Sequence, residues 1–211
     1  IAGVPAGLDL LNELIDEKRK NPSDDFLSTL ITAEEDGEKL SNWEMCALIG
    51  AVLGAGSDTA VDLHSYLIRA LLSHPKQLAE LKNDESLIQN AISETLRYES
   101  SGKTGLARYA SEDLEILGVS VKKGEMVQLI TSTAGLDPAA YEDANTFNIH
   151  RSHDNSISFG QGPHYCIGVT LVRSQTEVML KELFTRFPNL TLSGKMDYDY
   201  DHHNARRMTI L

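Results

Sequence analysis

The sequence predicts a mainly α fold with a small β part. Three observations carry that reading. Apolar residues recur at helical spacing through most of the first half of the chain, and again from about Ile167 to Phe187. Between Leu114 and Ile130 the spacing changes to alternation, around Gly118 and a Lys122-Lys123-Gly124 turn. The boundaries of these stretches fall on proline, glycine or polar capping residues.

The elements follow in chain order. LDLLNELIDEKRK, Leu8 to Lys20, reads as an amphipathic helix whose last turn is basic, where cations meet the negative end of the helix dipole. Asn21-Pro22 stops it. DDFLSTLITAEEDG begins a second helix, with Gly37 as its C-terminal stop. Ser41-Asn42-Trp43-Glu44 fits the Ser-x-x-Glu capping box. From there an apolar pattern runs to about Leu72 without a proline, a helix of roughly 45 Å at ~1.5 Å per residue. Cys46 and Trp43, near its start, are expected to pack into a core. Pro75 opens a short helix. Asp84 caps another, ESLIQNAISETLRY, whose Leu87, Ile88, Ala91, Ile92, Thr95 and Leu96 share one face.

LEILGVSVKKGEMVQLI then predicts short strands and a hairpin. Asp137-Pro138 starts a turn. A long irregular stretch follows from Tyr141 to His164, and loops of that length usually carry function. A last helix runs from about Ile167 to Phe187 and stops at Pro188. Leu190–Leu192 and Met208–Leu211 read as short strands.

Composition narrows the function classes. Acidic residues outnumber basic ones 31 to 19, a formal charge of −12, and no basic stripe interrupts the balance. That argues against a nucleic-acid partner. The longest apolar run, MCALIGAVLGAG, is well short of the ~20 residues that span a bilayer, so no membrane partner is expected. No secretory signal is expected. The two cysteines, Cys46 and Cys166, lie far apart and make no disulfide framework. The expected compartment is reducing, hence cytoplasmic.

The most informative stretch is FGQGPHYCIG, Phe159 to Gly168. Gly160, Gly162 and Gly168 permit unusual backbone angles and leave room for a flat, bulky group. Cys166 stands at the start of a helix, where free amides and the dipole favour a thiolate. Two readings are open on these residues alone. Cys166 is a buried, inert thiol beside a glycine-rich turn, or it joins His150, His153 and His164 on zinc.

A second unusual stretch is Ala55-Gly56-Ser57-Asp58-Thr59-Ala60, in the middle of the long helix. Gly, Ser, Asp and Thr are weak helix formers there, and a hydroxyl can bend a helix by bonding the carbonyl one turn back. It reads either as a close helix crossing at Gly54 and Gly56 or as a working site. A third is Glu94-Thr95-Leu96-Arg97, which alone reads as a solvated surface pair.

Together these stretches resemble the cytochrome P-450 superfamily. FGQGPHYCIG fills every fixed position of its F-G-x-G-x-H-x-C-x-G loop. The helix segment is similar to its A-G-x-D-T pattern, and Glu94–Arg97 to its E-x-x-R pair, with Arg151 as the third member. The motifs occur in family order, and the similarity covers almost the whole chain. The resemblance implies a truncated P-450 fold: residues 1–211 as the C-terminal haem-binding part of a fold roughly twice as long, its N-terminal half absent. It implies haem b (iron protoporphyrin IX) with Cys166 as axial ligand to the metal, Phe159 near the sulfur and Gly160 among the cofactor-binding residues. His164 and Arg108 are implied at the propionates. Gly56 would leave room for dioxygen, and Asp58 and Thr59 would guide protons to it as the catalytic pair.

The implied activity is that of a monooxygenase acting on a small organic molecule. Electrons would come from a ferredoxin or flavoprotein partner, and the N-terminal half would be a further partner. The alternative is a non-catalytic haem-binding or interaction module on the same scaffold. The sequence departs from the family pattern at ESSGKTG after Tyr98, at Gly135-Leu136, at Ser156 and at Gln175. His202-His203 would border the pocket or lie in a solvated loop.

Overall fold

The computed structural model describes residues 3–35, 38–100, 105–152, 156–193, 196–199 and 207–210. For 3–6, 34–35, 38, 196–199 and 207–210 it describes the backbone alone. The chain divides into two units, Ile1–Asp58 and Thr59–Leu211.

In the first unit, α1 (Gly3–Lys20) ends on Lys18, Arg19 and Lys20, as its basic last turn predicts. Asp25 caps α2 (Phe26–Thr32), accepting from the Ser28 amide at 2.8 Å. Lys18 pairs with the same carboxylate, and together with Ser23 and Ser28 holds it well below the usual carboxylate range. The helix does not continue toward Gly37, which lies outside the described residues. At Ala33 the backbone turns extended (ψ 136°), and β1 (Glu34–Glu35) pairs antiparallel with β2 (Glu38–Lys39). A longer helix would have put Glu34, Glu35 and Asp36 at its negative end, which is unfavourable. Thr32 instead closes the last turn by donating to the Ser28 and Thr29 carbonyls.

The capping box forms as predicted at the start of α3 (Asn42–Ser73). The Ser41 amide donates to Glu44 Oε2 at 2.8 Å, and the Glu44 amide reaches Ser41 Oγ at 3.3 Å. Ile15, Met45 and Cys46 form the buried core of this unit, ringed by Leu8, Leu11, Leu27, Ile31 and Ile49. Cys46 is core, as expected. Trp43 is not: it is 69% exposed. It precedes Met45 by two residues, about 200° round the helix, so the face that buries Met45 points Trp43 away.

In the second unit, the remainder of α3 packs Leu63, Leu67, Ala70 and Leu71 against α4 (Pro75–Asn83) and α5 (Ile88–Tyr98). Asp84 caps a short 3₁₀ turn ahead of α5, and Ile88, Ala91, Ile92 and Thr95 are buried on the predicted face. Leu180 and Phe184 of α7 (Val169–Arg186) and the loop residues Phe147 and Ile149 complete this core.

The β part is a set of antiparallel pairs. Strands β4 (Leu114–Ile116) and β5 (Val119–Val121) join through Leu117 and Gly118, both at positive φ. This is the expected hairpin. Strand β6 (Met126–Leu129) pairs with β3 (Leu106–Tyr109), which the sequence reading does not contain. Every residue of β3 is exposed, so LARY has no alternation to reveal it. After β6 comes a single turn, α6 (Thr131–Ala134). Met208–Ile210 is strand, but its partner is β7 (Met196–Asp199), which pairs with β8 (Arg207–Ile210). Leu190–Leu192 is not: the Leu190 amide closes a turn onto the Phe187 carbonyl at 3.1 Å.

Gly105 permits the β3–β6 pairing. Its φ is +75°, and a methyl there would overlap the Leu129 carbonyl and lie 2.8 Å from Ile130 Cα. Gly105→Ala is expected to lower stability by more than the ~1–2 kcal/mol that a left-handed backbone costs a side chain. A denaturation midpoint equal to that of the unmodified protein would contradict this.

By length and composition α3 is apolar enough to cross a membrane, although its uninterrupted apolar run is much shorter than a span. Most of its apolar window is not buried, and Leu53 and Val61 are among the exposed residues.

Candidate functional site

Within the stretch from Tyr141 to His164, the described residues 141–152 and 156–161 form neither helix nor strand, and buried side chains hold the backbone of 144–151. Glu94 and Arg97, on α5, have side chains 0% and 1% exposed. Arg97 Nε and Nη2 each donate to a Glu94 oxygen at 2.7 Å, a bidentate pair. Nη1 also donates to the Gly135 and Ala144 carbonyls at 2.6 and 2.7 Å, and Nη2 to that of Thr146 at 3.0 Å. The Asn148 amide donates to Glu94 Oε1 at 2.7 Å, and Arg151 approaches the same carboxylate at 3.4 Å.

This is the expected triad, and its burial settles against a solvated surface pair. Gln77 and Asn90 add a second clasp. The Gln77 side chain bonds Phe147 O and the Ile149 amide, and Asn90 donates to the Ile149 and Arg151 carbonyls. Gly135, which departs from the family pattern, has a role the sequence reading missed: a methyl there would overlap the Arg97 carbonyl.

Beyond this segment the chain forms the cysteine loop. Gly160 and Gly162 sit at φ +75° and +73°, conformations that side chains rarely adopt. The Cys166 amide donates to the Phe159 carbonyl at 2.9 Å, closing the loop on itself. A 3₁₀ turn, Gly162–His164, lifts His164 and Tyr165 to the surface. Cys166 is exposed, which overturns the buried, inert reading. It precedes α7 by three residues rather than opening it, and its carbonyl accepts from the Val169 amide at 3.4 Å. Phe159 is half-buried between Tyr165, 6.5 Å away edge to face, and the Arg173 guanidinium, 5.3 Å from its ring centre. Burial lowers the Arg173 pKa from its ordinary value, a shift that Tyr165 opposes. Arg173 is a second residue the sequence reading missed; its signal was a basic residue within the first two turns of the helix that follows Cys166.

The structure brings Phe159, Gly160, His164 and Cys166 together in this loop. Arg108 stands on β3 in the same unit, exposed, donating to its neighbour's carbonyl at 2.9 Å. Gly56 and Asp58 belong to the first unit and Thr59 opens the second. Along α3 no atom would meet a methyl at Gly54 or Gly56, so no helix crosses there among the described residues. Ser57 Oγ reaches back to the Gly54 carbonyl at 3.4 Å. One turn beyond Thr59, His64 Nε2 meets Thr176 Oγ1 of α7 at 3.0 Å. Thr176 spends its proton on the Val172 carbonyl at 2.6 Å, so His64 is the donor. Burial lowers the His64 pKa and keeps the ring neutral. His202-His203 lies outside the described residues.

The Cytochrome P450 family profile matches residues 7–209. The chain belongs to the cytochrome P450 family. Among its P450 relatives is the epothilone C/D epoxidase of Sorangium cellulosum, 38% identical over 201 residues, 95% of this chain and 48% of the relative. Another is the 6-deoxyerythronolide B hydroxylase of Saccharopolyspora erythraea, 37% identical over 88% of this chain and 46% of the relative. The crystal structure of epothilone D-bound cytochrome P450epoK superposes with a TM-score of 0.90 at 39% identity, covering 98% of this chain and 51% of that one. The chain thus spans about half the length of the curated P450s it matches, and its fold is a truncated P450 fold.

The P450 cofactor is iron protoporphyrin IX, and the cysteine loop fits it. Among the described residues no three His, Cys, Asp or Glu stand together as a metal cluster. His153, one member of the zinc reading, lies outside the described residues. Cys166 is exposed on a loop in which Gly160 and Gly162 carry no side chains. Zinc requires three or four protein ligands, whereas a haem iron brings its in-plane nitrogens with it.

Proposed function

We propose that the chain is the C-terminal haem-binding part of a monooxygenase that inserts one oxygen atom of dioxygen into a small organic substrate. The observation that carries this reading is the exposed Cys166 sulfur, presented by a loop whose glycines adopt left-handed backbone. Haem, when bound, supplies dioxygen activation, and a thiolate ligand favours O–O cleavage.

The chain's own residues have separable roles. Cys166 would hold the haem iron through its sulfur. Gly160 keeps a side chain off the loop, and Phe159 packs beside the sulfur. His164 and Arg108 hold the haem propionates by charge and hydrogen bonding. Gly56, without a side chain, leaves room for dioxygen. Asp58 and Thr59 hold and pass the protons that accompany its reduction. The balance is one dioxygen, two electrons, two protons and one substrate C–H bond, giving one C–OH and one water. Electrons come from a separate ferredoxin or flavoprotein. The names epoxidase and hydroxylase on two relatives, each a one-oxygen insertion, support the same class of reaction.

The rest of the fold, the N-terminal half, is the further partner. We place the protein in the cytoplasm, supported by the free thiols of Cys46 and Cys166. Asp58 and Asp62 midway along α3 weigh against that helix crossing a membrane, where a carboxylate at the bilayer centre is costly.

Turnover of the complete protein with a surrogate reductase tests the proposal. Asp58→Asn and Thr59→Ala are each expected to cut product formation by about 10²-fold or more while haem stays bound. Haem retained with no product from any electron donor would point to the non-catalytic module instead.

A further inference from the structure

Arg173 makes contacts that no motif residue explains. It lies on the second turn of α7, seven residues beyond Cys166. Its Nη2 donates to Ser93 Oγ at 2.9 Å, and its Nη1 is 3.3 Å from both the carbonyl and the side-chain oxygen of Gln89. Both partners are on α5, the helix that carries Glu94 and Arg97. The other side of the guanidinium faces the Phe159 ring at 5.3 Å. Phe159 in turn accepts the Cys166 amide through its carbonyl. A line of contacts therefore runs from α5 through Arg173 and Phe159 to Cys166. Arg173 is half-buried, where a cation over an aromatic face counts for more than it does in water.

We propose that Arg173 is a positioning residue for the thiolate. It clamps the Phe159 ring toward α5 and so fixes the loop that presents Cys166, and it sets a positive charge behind that ring. The inference rests on the reading of Cys166 as the haem ligand. A residue that merely braced α5 against α7 would affect folding without marking the cofactor.

The test uses the complete haem-loaded protein and two readouts, the reduced CO-bound spectrum and the iron reduction potential. Arg173→Ala is expected to raise the fraction of CO complex lacking the thiolate-type Soret band about fivefold. It should also shift the potential to more negative values, because a positive charge that favoured the added electron is gone. Arg173→Lys keeps the charge but not the planar fork, so it should restore the potential and only part of the band. In a Phe159→Leu background, Arg173→Ala should add no further loss of the band.

Two results overturn the proposal: Arg173→Ala with an unchanged band and potential, or a loss of the band undiminished in the Phe159→Leu background. Should Arg173→Ala fail to fold, Ser93→Ala decides, since it removes a single anchor; a smaller loss of the band is expected, and none would overturn the proposal. The unmodified protein is read first. A missing thiolate-type band there overturns the Cys166 reading and this inference with it, whereas altered behaviour confined to the variants bears on Arg173 alone.

Discussion

Arg97→Ala is expected to destabilise the protein by about 3–5 kcal/mol, the usual cost of breaking a buried ion pair by removing one partner. The substitution strips the Glu94 carboxylate of its bidentate partner while leaving it buried. It also takes the Arg97 donor from the Gly135 and Ala144 carbonyls and leaves that of Thr146 with Arg151 alone. Domains are stable by only about 5–15 kcal/mol, so a loss of this size is a large share of the total. The consequence reaches the cofactor, because the same arginine holds the backbone that leads into the cysteine loop. The denaturant midpoint should fall sharply, and haem affinity with it. Glu94→Gln is the companion experiment: it preserves shape but leaves Arg97 buried without its counter-charge, so it too should destabilise strongly. A small change in midpoint for both variants would mean that the segment is ordered by other contacts.

The second large effect is expected at Cys166. In Cys166→Ser a hydroxyl replaces the sulfur in nearly the same volume, and the loop's own hydrogen bond, Cys166 amide to Phe159 carbonyl, uses only the backbone. Folding should therefore be nearly unaffected, while monooxygenation falls to background. A hydroxyl is a weak iron ligand and does not supply the electron density of a thiolate. Stability measured beside turnover separates this from a packing defect. Turnover retained in Cys166→Ser would remove the sulfur from the chemistry.

Much of this architecture was legible in the sequence because it is written locally. The capping box at Ser41 and Glu44 needs four consecutive residues, and helix stops at Asn21-Pro22 and Phe187-Pro188 need two. The buried face of α5 is a periodicity within one element. The Glu94–Arg97–Arg151 triad was legible through resemblance, since its spacing alone reads as a surface pair. What escaped depends on contacts between distant residues. Strand β3 is exposed throughout and is defined only by its partner β6. The β1–β2 hairpin arises because α2 stops early. Trp43 shares the capping segment of a buried helix start but projects from its outer side. Arg173 and Gly135 matter through neighbours 80 and 38 positions away, Ser93 and Arg97, a separation that no local pattern encodes.

The most direct test of the central claim is the visible spectrum of the complete, unmodified protein, reduced and saturated with carbon monoxide. The account predicts haem uptake and the Soret band of a thiolate-ligated iron. A protein that takes up no haem, or whose CO complex carries the band of a nitrogen- or oxygen-ligated iron, would contradict it.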